Sequence, residues 1–248
     1  MKLTKEKDVT PLHATGKRPR LGRGIYLLPN LFTTAALFAG FYAVIVAMEG
    51  KFQNAAIAIL VAMVFDGLDG RVARMAQAQS DFGKEYDSLS DMVSFGLAPA
   101  LVVYQWGMIR LGDGSIVWTR NGWLAAFFYA VAEALRLARF NSRGGSNNKK
   151  FFEGLPSPSA AGLVASSLWF GTQYAIDANL ALTAGFVVTV LSGALMVSSF
   201  HYYSFKDFNL SGRVRFAHLL LITLIFMFIA VDPPLVLSLL FLGYAFSG

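Results

Sequence analysis

Asp66-Gly-Leu-Asp-Gly-Arg-Val-Ala-Arg74 and, a few residues on, Gly83-Lys-Glu-Tyr-Asp87-Ser-Leu-Ser-Asp91 set four aspartates where apolar residues would be expected. On a helix, Asp66, Asp69, Gly70 and Ala73 stand at i, i+3, i+4 and i+7, so both carboxylates share one face with small residues beside them. Asp87 and Asp91 are likewise one turn apart. Two antiparallel helices joined by a short loop would bring these faces together. Four ionised carboxylates that close, at a membrane boundary, would repel one another and lose hydration, and a bound divalent cation resolves the conflict.

Outward from this stretch, runs of roughly 18 to 25 apolar residues recur from Pro29 to the C-terminus, each long enough to cross about 30 Å of hydrocarbon as a helix. They predict an all-α, polytopic membrane protein with about eight spans near 29–48, 53–75, 88–108, 122–143, 157–175, 179–200, 215–231 and 233–247. Asp232-Pro233-Pro234 is a tight connection, because proline cannot continue a helix and restricts the residue before it. The final helix is short for a full span. Placing the N-terminus inside leaves only Lys51, Arg110 and Arg120, of the 21 basic residues, on the outer connections. That asymmetry predicts both termini on the cytoplasmic side. Residues 1–24, with Lys17, Arg18, Arg20 and Arg23, read as a basic cytoplasmic arm without the apolar core of a signal peptide. Residues 25–248 form one membrane-embedded domain, with Asn141 to Lys150 as a flexible basic connection.

The chain is 55% hydrophobic and only 15% charged, against about a quarter charged in soluble domains. It has no cysteine, which excludes disulfides, thiolate metal sites and cysteine nucleophiles. With histidine only at positions 13, 201 and 218, carboxylates are the better metal ligands, and oxygen ligation suits Mg²⁺ or Mn²⁺. The net charge of +6 reads as membrane topology and attraction to anionic headgroups, not as affinity for nucleic acid.

Singly, each aspartate could be a helix cap or a solvated charge. Gly70 could serve close helix packing or the approach of a nucleotide, and Arg74 could snorkel to headgroups or meet a diphosphate. A cation transporter using intramembrane carboxylates is a rival from another class, although it would carry them deep in several spans.

The two segments fit D-x2-D-G-x2-A-R-x8-G-x3-D-x3-D at every defined position, and the chain therefore resembles the CDP-alcohol phosphotransferase family. The resemblance implies a six-helix catalytic core and a homodimer. It implies Asp66, Asp69 and Asp87 as metal ligands, and Asp91 as both ligand and proton acceptor. It further implies that Gly70, Arg74 and Ser80 contact the CDP portion of a CDP-diacylglycerol donor. The start of the first span contributes Asn30, Thr33 and Thr34.

The motif leaves the acceptor alcohol open among serine, glycerol phosphate, inositol phosphate and choline. Ser94-Phe-Gly-Leu-Ala-Pro-Ala100, Arg136-Leu-Ala-Arg-Phe-Asn141 and Phe152-Glu-Gly-Leu-Pro-Ser-Pro-Ser-Ala-Ala161 resemble the bacterial phosphatidylserine synthases within that family. This implies L-serine as acceptor, CMP as product, and a bacterial inner membrane with the active site facing the cytoplasm. Arg136, Arg139 and Asn141 are the candidate serine-binding residues, their plainer role being positive-inside anchoring. Glu133 could hold the amine or pair with Arg136. Pro156 and Pro158 are expected to start the fifth span. His201, Tyr202 and Tyr203 read as an interfacial aromatic group.

Overall fold

The computed structural model describes residues 27–75, 80–111, 116–142, 151–203 and 216–248. The basic arm and the 143–150 part of the basic connection lie outside these residues. Helix α1, Leu27–Met48, turns back at Gly50, whose φ of +76° is a left-handed conformation that suits glycine, into α2, Phe52–Met75. Small residues set how closely the pair packs. Ala36, Ala39, Ala43 and Ala47 on α1 and Ala55, Ala56, Ala58 and Ala62 on α2 are all buried, which brings the backbones close where larger side chains would hold them apart.

Helix α3, Asp81–Asp91, starts at an N-cap, Ser80, whose hydroxyl accepts from the Gly83 N–H at 3.0 Å. It runs on through a wide π-helical turn, Met92–Leu97, into α4, Ala98–Leu111. Pro99 sits just past that turn. It lacks an N–H and its ring crowds the preceding carbonyls, which accounts for the wider turn here. Ser90 and Ser94 donate to the Thr33 and Ala36 carbonyls, each at 3.1 Å, and pin this helix to α1. Ser94 faces Gly40, where an added Cβ would come within 2.7 Å of the Ser94 Cα.

Helix α5, Ile116–Ser142, packs on α7, Ala178–Val197, while α6, Ser157–Gln173, packs between α2 and α9, Pro233–Ala245. Helix α8, Phe216–Val231, joins α9 through Asp232, whose carboxylate accepts from the Leu235 N–H. The helices lie where the apolar runs predict them, and Pro156 caps α6 with Pro158 in its first turn, as expected.

The fold is all-α as expected, with one short strand pair added to it. Phe151–Glu153 (β1) and His201–Tyr203 (β2) pair antiparallel, with Phe152 opposite Tyr202. The supposed interfacial aromatic group is therefore a strand whose side chains alternate: His201 and Tyr203 are exposed, whereas Tyr202 is buried and donates to the Ala245 carbonyl at 3.0 Å. Alternating sides in a three-residue strand is too short a pattern to read from sequence.

Leu28–Met48 and Ala178–Val197 are long and apolar enough to cross a membrane. Phe38, Phe41, Met48, Phe226 and Val231 project outward and are all more than half exposed. Such a surface suits lipid far better than water.

The contact of α1 with the π-helical turn yields a stability test. Gly40→Ala should cost about 1–3 kcal/mol, because the Ser94 backbone Cα, and not its hydroxyl alone, fills the space. Gly67→Ala, with nothing within 4 Å, should cost little. Thermal midpoints in detergent would compare the two, and equal midpoints would contradict the packing described.

Candidate active site

The carboxylates come from two helices held in register by α1. Asp66 and Asp69 lie near the end of α2, and Asp87 on α3 faces them. One oxygen from each of Asp66, Asp69 and Asp87 can be chosen so that all three lie within 4.8 Å of one another. Asp69 is buried, and its Oδ2 accepts from the Thr33 hydroxyl at 2.7 Å. Thr33 also accepts from Ser90 through its carbonyl, so one residue of α1 ties α2 to α3 at the carboxylates. Asp87 Oδ1 is buried with no hydrogen-bond partner. A buried carboxylate oxygen without a partner, beside two further carboxylates, is the environment a hard divalent cation satisfies.

Asp91 is not among those three. It sits close to Asp66, with the charges of Asp87 and Glu133 also bearing on it. One turn from Asp87, it stands beside the triad.

Asp87 lies just before the third predicted span. Burial, and then the negative charges of Asp69 and Asp66, push its carboxyl up from 3.8 to about 7.

Two cavities flank the carboxylates. The smaller, about 510 Å³, is lined by Asn30, Thr33, Asp69, Gly70, Arg74 and Ser80 among others. It thus collects every residue expected to contact the CDP portion except Thr34. The Thr34 hydroxyl instead bonds the Asn30 carbonyl at 2.7 Å and the Tyr86 hydroxyl at 2.9 Å. Arg74 lies across the bare backbone of Gly70, its Nη1 3.5 Å from where a Cβ would stand. Gly83 has Ser80 Oγ and Asn30 Oδ1 at 3.1 and 3.4 Å from that position, so a side chain there would crowd the cavity wall.

The larger cavity, about 1070 Å³, is lined by Asp66, Asp87, Asp91, Arg136, Asn141 and Ser157, with Leu237, Leu240, Phe241 and Tyr244 of α9 on one wall. Asp87, Arg74, Lys84 and Phe140 line both cavities. Of the three candidate serine-binding residues, Arg136 and Asn141 face this space. Arg136 donates to the Ser157 hydroxyl, and Asn141 Nδ2 to the Ser88 hydroxyl at 2.9 Å. Arg139 does not line the cavity. Its guanidinium donates to the carbonyls of Glu153, Val197, Met196 and Ser198, and so ties the end of α7 to β1.

Lys84 and Arg71 also line the larger cavity and were not singled out from sequence. The signal for Lys84 was present: positions 84, 87, 88 and 91 are i, i+3, i+4 and i+7 on one face of α3, and all four line the cavity.

Comparison with known proteins places the chain in one family. Residues 26–197 match the CDP-alcohol phosphatidyltransferase family. A CDP-diacylglycerol–serine O-phosphatidyltransferase of Helicobacter pylori is 35% identical over 204 residues, 82% of each chain. One of Mycobacterium tuberculosis is 39% identical over 163 residues, 62% of this chain and 54% of its own. An archaetidylserine synthase of Methanothermobacter thermautotrophicus is 34% identical over 178 residues, 71% of this chain and 69% of its own.

The raised Asp87 carboxyl fixes a pH dependence. Below about 7 it holds a proton that a cation must displace, so Mn²⁺ affinity should rise with pH, up to ~tenfold per unit, and level off above 7. Without metal the sign reverses: the shift stabilises the fold at low pH, and that stability is lost as pH rises from 3.8 through about 7. Mn²⁺ titrations by electron paramagnetic resonance between pH 5.5 and 8.5 would check the first statement, and a flat profile would contradict it.

Proposed function

The chain belongs to the CDP-alcohol phosphatidyltransferase family, and on that premise we propose that it is a phosphatidylserine synthase, moving the phosphatidyl group of CDP-diacylglycerol to the hydroxyl of L-serine with release of CMP. The observation that carries this reading is the pair of cavities meeting at one carboxylate cluster, the smaller lined by Asn30, Gly70, Arg74 and Ser80 and the larger by Asp91, Arg136 and Ser157. The relatives named CDP-diacylglycerol–serine O-phosphatidyltransferase support serine as the acceptor.

In this reading the smaller cavity takes the CDP portion, with Gly70 giving the nucleotide close access to backbone and Arg74 facing the diphosphate. The acyl chains remain in the bilayer. L-Serine enters the larger cavity from the aqueous side, its carboxylate on the Arg136 guanidinium. Asp66, Asp69 and Asp87 would hold a divalent cation, Mg²⁺ or Mn²⁺, which supplies charge neutralisation for the diphosphate.

Asp91, on the acceptor side of the cluster, takes the proton from the serine hydroxyl as its oxygen attacks the phosphorus bearing diacylglycerol. One P–O bond forms to serine and the P–O bond to CMP breaks. CMP leaves with the bridging oxygen, Arg74 and Lys84 facing the charge it carries away, and Asp91 later returns its proton to water. The topology in this reading is eight spans in a bacterial inner membrane, with both termini and the active site on the cytoplasmic side, as the distribution of basic residues supports.

Purified protein in detergent, given CDP-diacylglycerol and Mg²⁺ or Mn²⁺, should release CMP when L-serine is supplied and stop when chelator is added. Release only with glycerol 3-phosphate, inositol phosphate or choline would move the acceptor assignment. No release with any alcohol would defeat the enzyme reading. Asp91→Asn should lower kcat by ~10²–10⁴-fold while retaining nucleotide binding. Near-normal turnover would remove Asp91 from the role of base.

A further inference from the structure

Glu133 is the least explained polar residue of the fold. It is buried completely, on α5, one turn deeper than Arg136. Neither carboxylate oxygen has a hydrogen-bond partner. Its stem packs against the π-helical turn, where a Cβ on Gly96 would lie 3.0 Å from Glu133 Cγ.

The plain account of such a residue is an ion pair with Arg136, yet among the described residues the one ion pair within 4 Å is Lys51 with Glu49. Arg136 is close enough for its charge to act on Glu133, but its Nη1 is directed to Ser157 and its Nε is buried without a partner. The Ser157 hydroxyl, which accepts from Arg136, is also near Glu133 but outside hydrogen-bond geometry. A carboxylate buried in an apolar bundle without a partner is costly unless something supplies one. Three of the groups around it, Asp91, Arg136 and Ser157, line the acceptor cavity, whereas Glu133 itself and its buried neighbour Tyr129 sit behind that lining.

We propose that Glu133 receives the ammonium group of the acceptor amino alcohol, completing a three-point site in which Arg136 takes the carboxylate and Asp91 the hydroxyl. The inference rests on the reading that the acceptor is L-serine. A zwitterion brings one charge of each sign, and the two residues present the complementary pair from adjacent turns of one helix. An acceptor without an amine would leave Glu133 buried and unpartnered, so the site rejects it through what it fails to satisfy.

The test compares L-serine with 3-hydroxypropionate, which keeps the hydroxyl and carboxylate and lacks the amine. The wild type should prefer serine strongly in competing kcat/KM. In Glu133→Gln that preference should fall at least tenfold, through loss of serine use and not through a general decline. If Glu133 served only to hold Arg136, both acceptors would suffer together and the ratio would stay, which overturns the inference. Should Glu133→Gln fail to fold, Glu133→Asp retains the charge but retracts it, and the ratio should fall there too; an unchanged ratio is again fatal. A wild type that uses a different alcohol and ignores serine would instead overturn the acceptor reading, leaving the two failures distinguishable.

Discussion

Like charges in a place of low dielectric are the constraint around which the rest of this structure is arranged. Oxygens of Asp66, Asp69 and Asp87 within 4.8 Å of one another repel, and repulsion at that range grows as water is removed. The fold must therefore hold them in place against their own field. It does so through neutral hydroxyls at the contact with α1: the Thr33 hydroxyl of α1 on Asp69, and the Ser90 and Ser94 hydroxyls on α1 carbonyls. Alanine and glycine where α1 meets α2 and the π-helical turn let the backbones come near enough for these short side chains to reach. Small residues in the core and a tight carboxylate cluster are thus two sides of one requirement.

What could be read from the sequence divides along the range of the interaction responsible. The helices follow from apolar runs and local signals, and the i, i+3, i+4 spacing placed Asp66 beside Asp69 and Asp87 beside Asp91 without any tertiary information. Asn30, Gly70, Arg74 and Ser80 do gather at one cavity. Arg139 shows where such reading ends. At i+3 from Arg136 it has the same chemistry and a similar address, yet its partners are carbonyls from β1 and the end of α7, more than ten residues away in sequence. Nothing local to residues 136–141 distinguishes a guanidinium that faces a cavity from one that satisfies chain ends. The β1–β2 pairing and the seat of Tyr202 were hidden for the same reason, since a three-residue strand is specified by its partner.

Glu133 is the opposite case, in which the sequence posed a question that distance answers. A glutamate and an arginine three residues apart on a helix suggest an internal pair. In the folded chain Arg136 turns to Ser157, and the glutamate oxygens remain unpartnered. Which of two compatible neighbours an arginine chooses is a tertiary decision, here made by a hydroxyl on the first turn of α6.

The two cavities also differ in where their walls come from. The smaller is built by α1, α2 and α3, with Phe140 from α5, all within the segment 26–197 that matches the family. The larger takes one wall from α9, through Leu237, Leu240, Phe241 and Tyr244, which lies beyond that segment. Helix α9 is fixed through its C-terminal half: Phe241 packs over Gly162, where a Cβ would come within 2.5 Å of its ring, and Tyr244 and Ala245 bond to Tyr203 and Tyr202. At 13 residues, about 20 Å, α9 is short for a span. It also closes the side of the larger cavity. A core within the family segment that held one substrate, and a separate element that bounded the space for the other, would let acceptor preference change without disturbing the carboxylate cluster.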